Sequence, residues 1–237
     1  MSNPIFSAKE PSLGYLYQIQ YGLLLLLTSK QENNAKILIE ALDDIELQTE
    51  DETKLYQTKY HKKKDTNLTD RSSDFWKTIR VWSEQILDKT VDIKSTRFTL
   101  ITTVNISDDS IILKIKNKRV KLIRVEDILN KLNIITNEAG NDTNKKGYIA
   151  FQRLSPSQQK ELIPKIYIID SSFDFKDIEQ KIQNELKIFV EPNKIIPMFE
   201  RLSGWFLNNS ILHLQSKKDF YYFRRIIRRN LFYFRNF

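Results

Sequence analysis

Four side chains between residues 37 and 80 have the types and spacing of a site that hydrolyses phosphodiesters. Two are carboxylates, Glu40 and Asp44, and the other two are Gln57 and Lys59. Carboxylate and amide oxygens are ligands that hard cations such as Mg²⁺ accept. An ammonium group beside such a cation can orient water or help to deprotonate it. The hypothesis is therefore a nuclease site that uses Mg²⁺, with Mn²⁺ as the other metal of this kind.

Strand phasing predicts which of these side chains point the same way. Residues 54–61 have the pattern of a strand, in which Gln57 and Lys59 lie on one face because side chains two apart point the same way. Glu40 and Asp44 share a face only if the preceding strand continues through the Asp43-Asp44 bend. Asp44 is then the main metal ligand, and Glu40 completes the metal shell. Gln57 is a weaker ligand, and Lys59 acts on the attacking water.

A structural explanation of the same residues stays open. Acidic and basic side chains on a short meander of strands are usually solvated. An isolated Gln-x-Lys pair has little value as a motif. His61 follows two residues later, and a lone histidine on a strand more often has a structural role than a catalytic one.

Basic residues after the predicted strand are candidate contacts for nucleic acid. Lys62, Lys63 and Lys64 follow it directly and can contact a phosphate backbone, although a solvated loop gives the same pattern. Arg71 and Ser73 lie where a helix is predicted to begin. Backbone N–H groups at a helix N-terminus attract phosphate, but capping by a serine is the commoner role.

Hydrophobic periodicity predicts the elements that must position these residues. The predicted helices cover residues 12–29, 73–86, 155–162, 174–189 and 194–215, the last interrupted near Pro197. The predicted strands cover residues 35–42, 44–48, 54–61, 97–104 and 166–169. Residues 111–125 fit either a strand or a helix, and the polar segment 137–146 is the best linker candidate. Trp76 and Trp82 have the helical spacing of core residues.

Composition and charge narrow the classes of protein to which this chain can belong. The chain has 237 residues, a net charge of +8, two histidines and no cysteine. The positive charge favours a polyanionic partner. The absence of cysteine excludes disulfides and thiolate metal sites and fits a reducing cytoplasm. No basic signal-peptide region opens the chain, and the leucine-rich run is far shorter than the ~20 residues that span a bilayer. We expect a cytoplasmic protein without a transmembrane segment.

Four stretches of the sequence carry a resemblance to a known family. They are residues 7–18, 39–45 (Ile-Glu-Ala-Leu-Asp-Asp-Ile), 55–61 (Leu-Tyr-Gln-Thr-Lys-Tyr-His) and 68–78 (Leu-Thr-Asp-Arg-Ser-Ser-Asp-Phe-Trp-Lys-Thr). Together they resemble the PD-(D/E)xK nuclease superfamily. More narrowly, they resemble the endonuclease domain of bacterial CD-NTase-associated (CBASS) and three-component antiphage defence effectors. The resemblance covers residues 7 to about 104.

The resemblance implies a fold, an activity and one departure from the family pattern. The implied fold is α/β (α+β), with a restriction-endonuclease-like mixed sheet flanked by helices, and the implied activity is metal-dependent cleavage of double-stranded DNA. The superfamily usually has an acid where Gln57 stands, so a negative ligand is missing, although glutamine occurs there in this branch. Whether Asp43 or Asp44 is the ligand stays open. We favour Asp44, which directly precedes Ile45.

The second half of the chain gives weaker predictions. We predict a nuclease domain over residues 1–110 and a mostly helical accessory region over residues 111–237, which regulates, oligomerises or contacts a partner. The tail from residue 217 interleaves basic and aromatic residues. Such a tail can bind nucleic acid or dock on a partner or a membrane surface. Truncation of a longer chain is an equally weighted explanation, because residues 202–206 resemble a helical region after which three-component effectors usually continue.

Two functions follow from the sequence. The leading hypothesis is a Mg²⁺- or Mn²⁺-dependent endonuclease of a bacterial antiphage defence system, acting on double-stranded DNA. The alternative is a non-catalytic defence component with a degenerate nuclease fold that binds DNA or a partner, which Gln57 and the short C-terminal half favour. Other defence proteins are expected partners, and a homo-oligomer is an open alternative.

Overall fold

The computed structural model describes residues 9–29, 35–62, 65–118, 123–138 and 142–216, together with the backbone of Tyr222 and Phe223. The helices are α1 (Lys9–Thr28), α2 (Ser73–Leu87), α3 (Ile111–Asn117), α4 (Val125–Asn137), α5 (Lys145–Arg153), α6 (Pro156–Lys165), α7 (Phe175–Leu186) and α8 (Ile195–Gln215), with a 3₁₀ turn at Pro192–Lys194. The strands are β1 (Lys36–Ile39), β2 (Ile45–Gln48), β3 (Thr53–Lys59), β4 (Thr96–Thr102), β5 (Ile166–Ile169) and β6 (Tyr222–Phe223). The predicted α/β class, with a mainly helical C-terminal region, is confirmed.

These elements pack as two units. Unit 1 combines the chain before Glu52 with the chain after Ser172, and unit 2 is the segment Glu52–Ser172. The division at residue 110, which the sequence predicts, stays a prediction. Within the described ranges, no helix is both long enough and apolar enough to span a membrane.

In unit 1, an antiparallel hairpin packs against α1. β1 pairs with β2 from Lys36 opposite Gln48 to Ile39 opposite Ile45, and β6 pairs antiparallel with β1. Gly22 allows the close approach of α1, because a Cβ at this position would lie only 2.8 Å from Cδ1 of Ile39. The isoleucines of the hairpin and the buried leucines of α1 (Leu23, Leu24, Leu26 and Leu27) are therefore the core of this unit.

Helices α7 and α8 also pack against α1 in unit 1. The Tyr17 hydroxyl donates a hydrogen bond to the Phe173 carbonyl oxygen at 2.9 Å, and the Tyr17 ring meets the Phe175 ring edge-on at 5.7 Å between centroids. Leu23 and Leu26 are fully buried. The leucine-rich run is thus a buried helix, as predicted.

In unit 2, three parallel strands form the core. β3 pairs with β4 from Thr53 opposite Thr96 to Lys59 opposite Thr102, and β4 pairs with β5. Their side chains are mostly buried, which is usual for parallel strands with helices over both faces. Helix α2 connects β3 to β4, and its buried Trp82 contacts the Phe98 ring of β4.

Helix α5 packs closely against α2. A Cβ on Gly147 would lie 3.0 Å from the Trp76 carbonyl carbon and still closer to its oxygen. The Trp76 ring meets Tyr148 and Phe151 of α5 edge-on, with centroids 4.5 and 6.3 Å away. Its Nε1–H donates to the Asp70 carbonyl oxygen at 2.7 Å. Trp76, like Trp82, is therefore a core residue, as the helical spacing predicts.

Several predicted elements differ from the structure. The predicted strand 35–42 is wrong in its second half, because β1 ends at Ile39. The predicted interruption near Pro197 is also wrong: this proline lies in the first turn of α8, where its missing N–H breaks no helical hydrogen bond. In the open segment 111–125, residues 111–117 are the helix α3, which Ser110 caps by accepting from the Ile112 N–H at 3.1 Å. Helix α5 was not predicted, and it begins inside the predicted linker at Lys145.

The close approach of α5 to α2 makes Gly147 the most size-sensitive glycine described. We expect Gly147→Ala to destabilise the protein by about 1–3 kcal/mol, because the added methyl group meets backbone atoms that cannot swing aside. Gly14→Ala is the matched control, since a Cβ at that position in α1 meets nothing within 4 Å. Its expected effect is a gain of up to ~1 kcal/mol from helix propensity. Urea unfolding of both variants checks this, and equal stabilisation by both would show that the contact is not tight.

Candidate functional site

The candidate site of unit 2 lies at the carboxyl ends of β3 and β4. Lys59 ends β3 opposite Thr102, and the Thr103 N–H donates to the Lys59 carbonyl oxygen at 3.3 Å. The chain then reaches His61, whose N–H donates to Thr103 Oγ1 at 2.9 Å while that hydroxyl donates to the His61 carbonyl oxygen at 3.2 Å. These bonds hold the backbone beyond the strand. In α/β proteins, the carboxyl ends of parallel strands are where ligands bind.

Gln57 and Lys59 lie together, as strand phasing predicts. The Lys59 Nζ donates to the Gln57 Oε1 at 2.9 Å, and Gln57 is buried while Lys59 is half-buried. The amide oxygen has a second lone pair, so it can accept from Lys59 and still accept from a second donor or bind a metal. Because this partner is neutral, it does not cancel the charge of the lysine.

A second pair, His61 and Asp74, lies next to the first. His61 Nε2 is 2.7 Å from Asp74 Oδ2, and Asp74 is in the first turn of α2. Burial alone raises the pKa of the Asp74 carboxyl. The hydrogen bond from His61 and the charges of His61, Lys59 and Lys77 together outweigh burial, so this pKa lies below its ordinary value. Asp74 therefore stays ionised and ties α2 to the end of β3.

Asp74 is a residue that sequence reasoning missed. The only signal in the sequence was an acidic residue at a predicted helix start, and such residues are common because they complement the helix dipole. His61 was assigned a structural role as the commoner alternative. Its pairing with Asp74 is compatible with that role and also places an imidazole beside Lys59.

The predicted nucleic-acid contacts have different surroundings. Lys62 is exposed, while Lys63 and Lys64 lie outside the described residues. Arg71 forms an ion pair with Glu138, so its guanidinium already has a carboxylate partner. Ser73 is the first residue of α2. The preceding serine uses its hydroxyl to accept from the Thr69 N–H at 2.8 Å and does not cap the helix.

The two predicted carboxylate ligands lie in unit 1, in the turn between β1 and β2. Glu40 has a positive φ of 54°, and its N–H donates to the Asp44 carbonyl oxygen at 3.1 Å. The condition for both side chains to share a strand face is therefore not met, because no strand runs from Glu40 to Asp44. The Glu40 and Asp44 backbones meet because the turn is closed, as in a hairpin. Asp43 is buried and accepts from the Asp44 N–H at 2.9 Å, whereas Asp44 is half-buried.

Glu40 has neighbours on α1. Gln18 Nε2 donates to Glu40 Oε1 at 2.5 Å. Burial raises the pKa of the Tyr15 hydroxyl, and the negative charge of Glu40 raises it further. The Glu40 carboxylate is thus held from one side by an amide and is exposed to solvent on the other.

The metal-ligand set stays a prediction. Its members are two carboxylates, Glu40 and Asp44, and the amide oxygen of Gln57, which together are an all-oxygen set of the kind that Mg²⁺ accepts with water as further ligands. In the described part of the chain, no group of three or more His, Cys, Asp or Glu side chains comes together in a metal-binding arrangement. The predicted set holds only two residues of those types.

Solved structures share this mixed α/β fold. The Acinetobacter baumannii Cap4 SAVED/CARF-domain containing receptor matches with a TM-score of 0.50 and 16% identity, over 89% of this chain and 44% of that chain. The same receptor with the cyclic trinucleotide 3'3'3'-cAAA gives a TM-score of 0.50 and 17% identity, over 89% of this chain and 44% of that chain. The receptor with the cyclic trinucleotide 2'3'3'-cAAA gives a TM-score of 0.51 and 16% identity, over 94% of this chain and 44% of that chain.

These similarities are structural. At such low identity they show a shared fold, and the chain spans less than half the length of the receptors that it matches. No known protein family matches the sequence, and no curated protein is similar to it.

The pairing of Asp74 with His61 predicts a pH-dependent contribution to stability. We expect Asp74→Asn to lower the free energy of unfolding by about 1–2 kcal/mol near pH 7, because a charge-assisted hydrogen bond is lost. The folded-state pKa of Asp74 is lower than its unfolded value. The contribution is therefore fully present above the ordinary carboxyl pKa of ~3.9 and is lost as the pH falls through the lower folded value.

Urea unfolding of the wild type and the variant, near pH 7 and near pH 3, measures this contribution. Asp127→Asn is the matched control, because Asp127 also lies in the first turn of a helix and pairs with a cation, Arg124, but is exposed. Its expected loss is smaller. A difference between wild type and Asp74→Asn that is unchanged at the lower pH would contradict the assignment.

Proposed function

We propose that this chain is a component of a bacterial antiphage defence protein and that it cleaves double-stranded DNA as a magnesium-dependent endonuclease. The observation that carries the proposal is the Lys59–Gln57 pair at the carboxyl end of β3, 2.9 Å apart and beside His61 and Asp74. An ammonium group that is oriented by this hydrogen bond can bind a phosphate oxygen of a phosphodiester. Gln57 and Lys59 also lie in one of the four stretches that together carry the resemblance to PD-(D/E)xK nucleases.

The proposed roles follow from the chemistry of each residue. Asp44, Glu40 and Gln57 are the proposed metal ligands, and Mg²⁺ or Mn²⁺, when bound, neutralises charge on the scissile phosphate and activates water. Lys59 positions the water or stabilises negative charge that develops on the phosphate. Its neutral neighbour Gln57 leaves the lysine charge available for this purpose.

Double-stranded DNA is the proposed substrate because the resemblance to effector endonucleases implies it, and the net charge of +8 favours a polyanion of this kind. In unit 2, Lys62 and Lys77 are exposed, the first shortly after β3 and the second on α2. Phosphate contacts of this kind position a duplex without reading its sequence. The proposal is therefore an endonuclease in which cationic side chains hold the backbone and Lys59 acts on one phosphate.

The defence role rests on two lines of support. The first is the resemblance of four sequence stretches to effector nucleases. The second is the likeness in fold to the Cap4 receptors, of which this chain would correspond to less than half. Other proteins of such a system are the proposed partners.

A non-catalytic function is the second candidate, and the comparisons favour it over hydrolysis. The matching structures are described as receptors, and two of them are named with a cyclic trinucleotide rather than with DNA. Gln57 lacks the negative charge that a strong metal site uses, and its oxygen accepts from Lys59. In this case the chain binds DNA or a partner protein through the same cations and does not hydrolyse phosphodiesters.

Replacement of Lys59 separates the two candidates. We expect Lys59→Ala to reduce cleavage of plasmid DNA in the presence of Mg²⁺ by about 10²-fold or more, since a group that acts on the water is lost. DNA binding should fall only modestly, with a salt dependence reduced by roughly one phosphate contact. Lys54→Ala is the matched control: Lys54 is on the same strand, at its other end, and pairs with Glu52 at 3.1 Å.

The measurements are plasmid nicking and filter binding of the same DNA under identical salt. Equal cleavage by Lys59→Ala and wild type would contradict the catalytic role of the lysine. If all three proteins bind DNA and none cleaves it, the non-catalytic candidate replaces the proposal.

Replacement of Gln57 tests whether this residue is a metal ligand. We expect Gln57→Glu to lower the Mg²⁺ concentration that gives half-maximal cleavage by at least several-fold, because a carboxylate binds this hard cation better than an amide does. Gln57→Ala should raise the same concentration. An unchanged Mg²⁺ requirement in both variants would show that Gln57 does not bind the metal.

A further inference from the structure

A cavity in unit 1 lies between α1, α7 and α8 and has no part in the proposed chemistry. Its volume is about 380 Å³, and most of its wall is apolar. Leu16 and Leu23 come from α1, Phe175 from α7, and Phe206 and Leu207 from α8. Cavities of roughly 300–1,000 Å³ with such walls are typical small-molecule sites.

Two oxygen atoms distinguish this cavity from an ordinary packing defect. Gln20 and Ser203 line it, and Gln20 Oε1 and Ser203 Oγ are both buried without a hydrogen-bond partner among the described residues. A buried polar atom without a partner costs about 1–3 kcal/mol. Natural proteins rarely keep such atoms unless water or a ligand satisfies them.

The wall also limits the charge of a ligand. None of the described residues that line the cavity carries a charged side chain. A charged molecule would lose its hydration there without gaining an opposite charge, which is strongly unfavourable. An uncharged molecule with an apolar body loses little and gains the burial of its surface.

We propose that this cavity binds a small, uncharged and mainly apolar molecule that carries a hydroxyl group, of the class of alkyl-substituted phenols. The apolar body contacts the leucine and phenylalanine side chains. The hydroxyl hydrogen is donated to Gln20 Oε1, and the hydroxyl oxygen can accept from a donor such as Ser203 Oγ. This site is independent of the phosphodiester chemistry proposed for Lys59.

Gly204 provides a way to close the cavity. It lies on the cavity wall in α8, and a Cβ at this position meets nothing within 4 Å. A leucine there can extend into open space, and it also raises helix propensity. Gly14 in α1 has the same free surroundings but does not line the cavity, so Gly14→Leu is the matched control.

The probes are 4-ethylphenol and its methyl ether, 4-ethylanisole, which have nearly the same shape but differ in the hydrogen-bond donor. Calorimetric titration of the full chain measures both affinities, and methyl NMR shifts of leucines locate the site. We expect wild type and Gly14→Leu to bind 4-ethylphenol about fivefold or more tightly than 4-ethylanisole, from the value of one hydrogen bond. Gly204→Leu should bind neither.

Gln20→Leu tests the donor preference itself. This variant should stay folded, because it replaces a buried unpaired polar group with an apolar one, and it should bind the two probes with equal affinity. The proposal is overturned if 4-ethylphenol fails to bind the wild type at millimolar concentration, or if Gly204→Leu binds it as the wild type does. A preference for the phenol that survives in Gln20→Leu also overturns it.

Discussion

The parallel pairing of β3 with β4 is the constraint on which the candidate site of unit 2 depends. It sets Lys59 opposite Thr102, so both strands end at the same edge, and the hydroxyl of Thr103 then holds the backbone at His61. The connection from β3 to β4 runs through α2, which begins near this edge. The bond from Asp74 to His61 joins the start of that helix to the end of the strand. A shift of one residue in the β3–β4 register would turn Gln57 and Lys59 together to the other face and remove Lys59 from its place opposite Thr102.

The charge of this cluster follows from the same geometry. Asp74 is ionised because His61 and two lysines hold its pKa low, so it partly balances the positive charge around it. Gln57 does not balance any of this positive charge, since its amide is neutral. Lys59 therefore has a hydrogen-bond acceptor that fixes its direction without cancelling its charge. This combination suits the binding of a phosphate, because the ammonium group is positioned in advance by a neutral acceptor.

Sequence reasoning succeeded where one local rule decides the outcome. The period of two within a single strand was enough to place Gln57 beside Lys59. The same reasoning did not predict the turn at Glu40. The left-handed backbone of Glu40 closes this turn, and the sequence there contains no glycine or Asn-Gly pair that would indicate one. Sequence reasoning also failed for Asp74, whose partner lies 13 residues away, since an acid at a helix start looks the same whether or not a histidine meets it. Such contacts depend on tertiary packing, which a periodic pattern does not contain.

The two candidate functions make different demands on the two units. Binding of a phosphodiester needs cations, and unit 2 supplies them at Lys59 and on α2. Hydrolysis with a metal also needs anionic ligands, but Asp74 is already bonded to His61, and Gln57 is neutral. The proposed negative ligands, Glu40 and Asp44, come from a turn in unit 1. The proposed hydrolysis therefore depends on the carboxylates of the unit 1 turn, whereas the proposed binding of a phosphodiester depends on the cations of unit 2.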